Sequence, residues 1–126
     1  MGFATRRDGM SERRLRLVVY QEVPGIWVGR GIEHDVSAEG RTIGETVRAI
    51  LRMINAHIAF DERHDRAPLA AFRPAPQPYW NAFSGGTPVP LSELDALPPA
   101  HWEISVAIAR HRPMSARLPV PSQLHA

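Results

Sequence analysis

The sequence of 126 residues contains no cysteine and no lysine, and only 7% of its residues are aromatic. Without cysteine the chain cannot form disulfides, use a thiol nucleophile or bind zinc through sulfur, which suits a reducing compartment, so we predict a cytoplasmic location. Because lysine is absent, all 15 residues of the Lys+Arg total are arginines, a bias typical of a GC-rich genome. The net charge of +2 is too small to predict nucleic-acid binding by itself.

Long apolar runs are also missing, and no stretch approaches the about 20 apolar residues that a membrane-spanning helix needs. The first residues, MGFATRRDGMSERR, lack the apolar segment of a secretory signal. Residues 1–12 have no periodicity and are predicted to be a disordered basic arm, and residues 113–126 a flexible, proline-containing tail. Residues 13–112 are predicted to form a single domain.

The clearest pattern predicts an amphipathic helix over Thr42–Phe60. Its apolar residues recur every three or four positions and fall within an arc of roughly 100°: they are Ile43, Val47, Ile50, Leu51, Ile54 and Ile58. Thr42 and Glu45 form a capping box, and Gly40 allows a turn into it. Ala49, Met53, Ala56 and Phe60 form a second apolar shoulder, roughly 80° to 140° from the first face, which one sheet cannot cover.

Two segments before the helix predict a β-hairpin. Residues 14–21 alternate arginine with aliphatic residues, and residues 26–33 form a second strand. Pro24 and Gly25 between them suit a type II turn. Two glycines in the second strand, Gly29 and Gly31, predict a bulge or a close backbone approach.

Further strands complete an α+β fold. A weaker third strand is predicted at residues 36–39, and residues 101–110 alternate large and small side chains as a final strand does. Residues 61–100 between the helix and this strand are predicted to be a long proline-rich loop. The predicted architecture is therefore three short antiparallel strands, one amphipathic helix on one sheet face, the loop and a final strand.

Three aromatic residues lie together in the proline-rich segment, at Tyr79, Trp80 and Phe83. They are predicted to form a hydrophobic plug over the core, and the alternative is an exposed patch for a partner. Either this plug or a second copy of the chain is expected to cover the shoulder of the helix. The predicted partner or dimer contact therefore comprises Met53, Phe60, Tyr79, Trp80 and Phe83.

Catalytic and cofactor motifs are not found. His57 and His64, with the acidic residues near them (Asp61, Glu62 and Asp65), are the best candidates for a metal site, but their spacing matches no zinc motif. The serines lie outside any G-x-S-x-G context, and the glycines form no phosphate-binding loop. We therefore predict no enzymatic activity, no cofactor and no metal; a metal-dependent enzyme using His57 and His64 is the least favoured alternative.

The segment from Leu15 to Phe60 resembles the HicB-like antitoxin domain. The strands LRLVVY and GIWVGRG are followed by VSAEGRTIGET, in which Gly40, Thr42 and Glu45 stand at the Gly-x-Thr-x-x-Glu positions of that family. The final strand WEISVAIAR would be its fourth. The resemblance implies a β-β-β-α-β fold with a partial RNase H-like sheet, often dimeric, that neutralises a small RNA-cleaving toxin by binding it.

The resemblance also implies the partners. Many relatives carry a C-terminal DNA-binding module, but the residues after Arg110, HRPMSARLPVPSQLHA, are too few and too rich in proline for one, so operator binding is not expected. The prediction is a homodimeric, non-catalytic protein-binding module that occludes a small toxin. The alternative is a stand-alone oligomerisation module of the same fold without a toxin partner.

Overall fold

A computed structural model describes residues 13–113, and the predictions for the arm at 1–12 and for the tail after Pro113 fall outside these residues. The described residues form five strands, two α-helices and one 3-10 helix. Their order is β1 (Arg14–Val23), β2 (Ile26–Gly31), β3 (Ser37–Gly40), α1 (Ile43–Arg63), α2 (Gln77–Ser84), β4 (Thr87–Val89), the 3-10 helix (Leu91–Leu94) and β5 (Glu103–Ile108).

The predicted hairpin is present. β1 and β2 pair in antiparallel register, with Val19 opposite Gly29. Gly25 has a φ of 86°, the value that a type II turn requires at its third residue. β3 then pairs with the other side of β2, also antiparallel. The three antiparallel strands predicted from the sequence are therefore confirmed, although β1 is longer than expected.

The last strand enters the middle of the sheet. β5 lies beside β1 and runs parallel to it, with Leu17 opposite Val106, and β4 pairs antiparallel with the other side of β5. The resulting order is β3-β2-β1-β5-β4. The predicted count of four strands is wrong, because the proline-rich segment contributes β4 as a fifth strand. The parallel pairing of β5 with β1 makes the sheet mixed.

α1 packs on one face of this sheet through the stripe that the periodicity predicts. Five of its six apolar residues are buried, and Ile43 is half-buried at the start of the helix. The Thr42 Oγ1 accepts a hydrogen bond from the Glu45 N–H at 3.0 Å, as a cap should. The Glu45 carboxylate accepts from the N–H of Arg41 at 2.5 Å, one residue earlier than in a standard capping box.

The start of α1 approaches the sheet closely at Thr46, whose side chain is fully buried. Two glycines make this approach possible: a Cβ on Gly29 would lie 3.3 Å from the Thr46 Cγ2, and one on Gly40 would lie 2.6 Å from the Thr46 Oγ1. The Thr46 hydroxyl donates to the Thr42 carbonyl at 2.8 Å, which satisfies it within the helix. The close backbone approach predicted for Gly29 is thus present.

α2 lies on the opposite face of the sheet, in the segment predicted to be loop. Pro76 precedes it and Pro78 is in its first turn, where a helix does not need the N–H groups that proline lacks. Under it, Val18, Tyr20 and Ile32 form a second apolar cluster with other residues. The prediction of one helix and a continuous loop over 61–100 is therefore wrong.

Candidate functional site

The apolar shoulder of α1 forms a shallow groove lined by Met53, Ala56, His57 and Phe60, with a volume of about 320 Å³. We call these four residues the Phe60 surface. Met53 is half-buried against the core, whereas the Phe60 side chain is 40% exposed. The ring of Phe72 meets the His57 ring edge-on at 4.8 Å and borders the groove. Among residues 13–113, the shoulder is therefore only partly covered.

Phe60 is held in place by its neighbours on the outside of the helix. Its ring stacks on the His64 ring at 4.1 Å, and the Arg66 guanidinium lies 5.6 Å from its centroid. The His64 Nδ1 is 2.8 Å from the Phe60 carbonyl oxygen, which fixes the histidine as well. A rigid, exposed aromatic side chain of this kind loses little conformational entropy when a partner covers it.

The aromatic plug lies far from this groove, on the other side of the sheet. Tyr79 is buried against Tyr20, with ring centroids 6.1 Å apart, and the Trp80 Nε1–H donates to the Ala75 carbonyl at 2.8 Å. The Arg16 guanidinium lies 5.0 Å from the Trp80 ring and 5.8 Å from that of Phe83. The expectation that the plug covers the shoulder is wrong: it covers the second face of the sheet.

A partly buried polar cluster accompanies the plug. Arg30 bonds the Asp35 carboxylate at 2.6 Å, and its guanidinium lies 4.0 Å from the Tyr79 ring. Burial alone lowers the pKa of Arg30, but the hydrogen bond and charge of Asp35 outweigh it and raise the pKa above its usual value. Burial, and to a smaller extent the neighbouring Tyr79, raises the pKa of Tyr20 to about 12. These groups are paired with one another, as a structural cluster is.

Asp61, one of the candidate metal ligands near the end of α1, has a structural role. The buried Asp61 carboxylate accepts the Leu69 N–H at 2.8 Å and so holds the loop against the helix. Leu69 has a φ of 61°, a conformation that costs a bulky residue about 1–2 kcal/mol. Between residues 13 and 113, no three side chains of His, Asp or Glu are grouped so that they could hold a metal ion.

A different cavity, of about 370 Å³, opens near the start of β1. No local pattern in the sequence indicates this cavity. His34 and Trp102 line it with rings in edge-on contact, 6.2 Å between centroids. Trp102 is only 6% exposed. The His34 Nδ1 and the Trp102 Nε1 are buried and have no hydrogen-bond partner among the described residues. The two residues are distant in sequence, so only the sheet topology brings them together.

Comparison with known proteins adds no evidence to the geometry described above. A scan against protein-family models and searches of curated proteins and of solved structures each found no match. None of the helices in residues 13–113 combines the length and apolarity needed to cross a membrane.

Proposed function

We propose that this chain is a non-catalytic protein-binding module of the HicB-like antitoxin kind, which binds a small partner protein and occludes it. The observation that carries the proposal is the Phe60 surface, where an aromatic side chain that is 40% exposed borders an apolar groove on a rigid helix. Aromatic anchors in such positions supply much of the binding energy at protein interfaces.

The order of the elements supports the kinship with HicB-like domains. Strands β1, β2 and β3 precede α1, and β5 is the last strand, which is the part of the β-β-β-α-β order that this chain shares. At the junction of β3 and α1, Thr42 and Glu45 cap the helix, and Gly40 leaves room for Thr46. The motif on which the resemblance rests therefore has a physical role here. α2 and β4 are additions to that order.

The groove favours a partner that inserts one apolar side chain. Its lining consists of Met53, Ala56, His57 and Phe60, and its volume of about 320 Å³ suits an anchor side chain rather than a whole helix. Obligate homodimers commonly bury about 2,000–5,000 Å² in total, more than the roughly 1,600 Å² of a standard complex between different proteins, so a small apolar patch suits a heterologous complex better. We therefore favour a small heterologous protein as the occupant, and homodimerisation is the alternative.

The test is co-expression of the full chain with the product of the adjacent small reading frame, followed by affinity measurement on the purified complex. Phe60→Asp is expected to weaken binding by at least about thirtyfold, because a charge would replace a desolvated aromatic anchor. Asn55→Asp is the matched control: it adds the same charge at an exposed position on another side of α1 and should leave the affinity unchanged.

Each other outcome counts against the proposal. A chain that binds no such product and forms a dimer that Phe60→Asp dissociates would be the stand-alone oligomerisation module. If Phe60→Asp and Asn55→Asp weaken the complex equally, the Phe60 surface is not the interface. A bound metal found by elemental analysis and lost in both His57→Ala and His64→Ala would favour the enzyme instead.

A further inference from the structure

The cavity beside Trp102 has two ring nitrogens that lack partners. The Trp102 Nε1 and the His34 Nδ1 are buried, and neither has a hydrogen-bond partner within residues 13–113. Buried polar side-chain atoms are paired in the large majority of cases, because an unpaired buried donor loses its hydration without compensation. Because both atoms are on residues that line one cavity, they indicate that this cavity binds a ligand with hydrogen-bonding groups.

The chemistry of the lining indicates what that partner carries. An indole N–H can only donate, so it requires an acceptor oxygen. Arg13 and Arg14 also line the cavity. The Glu33 carboxylate nearby already accepts from the Arg16 Nε at 2.6 Å and from the Arg16 backbone N–H at 2.8 Å. The exposed Arg14 also lies 3.7 Å from the Glu103 carboxylate, so the cation left over at the cavity is Arg13, and its charge favours an anion.

The remaining walls favour an organic molecule over a bare inorganic anion. Ala67, Pro68 and Ala70 add apolar surface to the lining, and the cavity opens to solvent, from which a ligand can enter. A volume of about 370 Å³ lies near the lower end of the range for small-molecule sites, roughly 300–1,000 Å³. Guanidinium groups match the planar geometry of a carboxylate.

We propose that this cavity binds a small organic acid. Its carboxylate accepts a hydrogen bond from the Trp102 Nε1–H beside Arg13 and Arg14, and its apolar body lies against Pro68. Because both ring nitrogens are buried, the acid reaches them only if the half-buried His34 ring, which meets the Trp102 ring edge-on, moves aside. This site is separate from the Phe60 surface, and it does not depend on the proposed partner protein.

The test uses the ¹⁵N-labelled full chain and benzoate as the probe. The three tryptophans give three indole N–H resonances, and Trp102→Phe identifies that of Trp102. Benzoate is expected to shift the Trp102 resonance saturably while those of Trp27 and Trp80 stay in place. Benzamide, which has the same shape without the charge, should bind at least about tenfold more weakly, because hydrogen bonds and ion pairs to a charged group are stronger.

Two variants separate recognition from folding. Trp102→Phe keeps the aromatic packing and should abolish most of the benzoate affinity, measured by calorimetry. Arg13→Gln combined with Arg14→Gln changes only exposed side chains, so it tests the site even where Trp102→Phe disturbs the core. The double variant should lower the affinity by about fivefold and reduce its salt dependence, whereas Arg52→Gln, an exposed arginine on α1, should not.

Three results would overturn the proposal. Benzoate at millimolar concentration could leave the Trp102 resonance unmoved, which would show that no acid reaches the indole. Benzamide could shift it as much as benzoate, which would exclude recognition of the carboxylate. Inorganic phosphate could shift it equally, which would identify a general anion site without selection for an organic body.

Discussion

Gly40→Ala is expected to be among the most destabilising single-methyl additions in the described chain. A Cβ at this position would lie 2.6 Å from the Thr46 Oγ1, 2.7 Å from the Thr46 N and 3.0 Å from the Thr46 Cα. Real Cβ atoms do not approach other atoms so closely, so either β3 or the first turn of α1 must move. The obstacle includes backbone, which cannot rotate aside as a flexible side chain can.

The magnitude follows from what holds Thr46 in place. Its N–H donates to the Thr42 carbonyl at 3.0 Å within the first turn of α1, and its side chain is fully buried. Overpacking of a rigid site costs about 1–3 kcal/mol, occasionally more, and we expect about 2–4 kcal/mol here because two backbone atoms are involved. For a domain of this size that loss lowers Tm by roughly 8–16 °C.

Urea unfolding followed by circular dichroism measures the loss, and two other glycines serve as controls. A Cβ at Gly85 would contact only the Asn81 carbonyl oxygen, at an ordinary 3.6 Å. Gly85→Ala should therefore change the free energy of unfolding by less than about 0.5 kcal/mol. At Gly25 a Cβ would have open space, but φ is +86°, so Gly25→Ala should cost about 1 kcal/mol through backbone conformation alone.

A second substitution separates side-chain from backbone crowding. Thr46→Ala removes the Oγ1 but leaves the N and Cα that a Cβ on Gly40 would meet. In a double-mutant cycle it should therefore recover less than half of the Gly40→Ala loss. Full recovery, or a Gly40→Ala loss smaller than that of Gly25→Ala, would refute the conclusion that the backbone of α1 is the obstacle.

Two further predictions concern single polar groups. Asp61→Ala leaves the Leu69 N–H unpaired and should lower the free energy of unfolding by about 1–3 kcal/mol in urea titrations, whereas exposed Glu62→Ala should change it by less than about 0.5 kcal/mol. Equal losses in both would show that the Asp61 contact contributes nothing. The pKa of Tyr20 is raised from 10.0 to about 12, so the unfolded chain loses this proton first, and stability should fall as the pH rises from about 10 to about 12. Tyr20→Phe should remove this part of the pH dependence; an unchanged slope of unfolding free energy against pH would contradict it.

The sequence predicted best those elements whose residue pattern repeats within one short segment. The stripe from Ile43 to Ile58 identified α1 and the face that it buries, because a helix repeats its contacts every three or four residues. Gly25 identified the turn between β1 and β2, because glycine readily adopts the positive φ that this turn requires and few other residues do. In β5 the alternation of large and small side chains was read correctly. The small Ala107, and Ala109 just after the strand, are nevertheless buried, and Ala109 belongs to the cluster under α2.

The remaining features depend on contacts between distant residues. The prolines near α2 suggested a loop, although proline is tolerated in the first turn of a helix. The hydrogen bond from the Trp80 Nε1–H to the Ala75 carbonyl is not visible in a local pattern. The cavity needs His34 from the β2–β3 connection and Trp102 from the residue before β5. Each residue alone resembles an ordinary turn or strand residue, so the pair emerges only once β5 is placed beside β1.

The parallel pairing of β1 with β5 has a consequence for how the chain folds during synthesis. β1 is made first, yet one of its two edges has no partner until β5 has been made, because Arg14 pairs with Glu103 and Val19 with Ile108. The hairpin and α1 can assemble early, but an apolar strand edge stays open to other nascent chains in the meantime. Such non-local pairing gives a high contact order and slow folding. The pairing of β1 with β5 therefore forms only after β5 has been made, later than the hairpin and α1 can assemble.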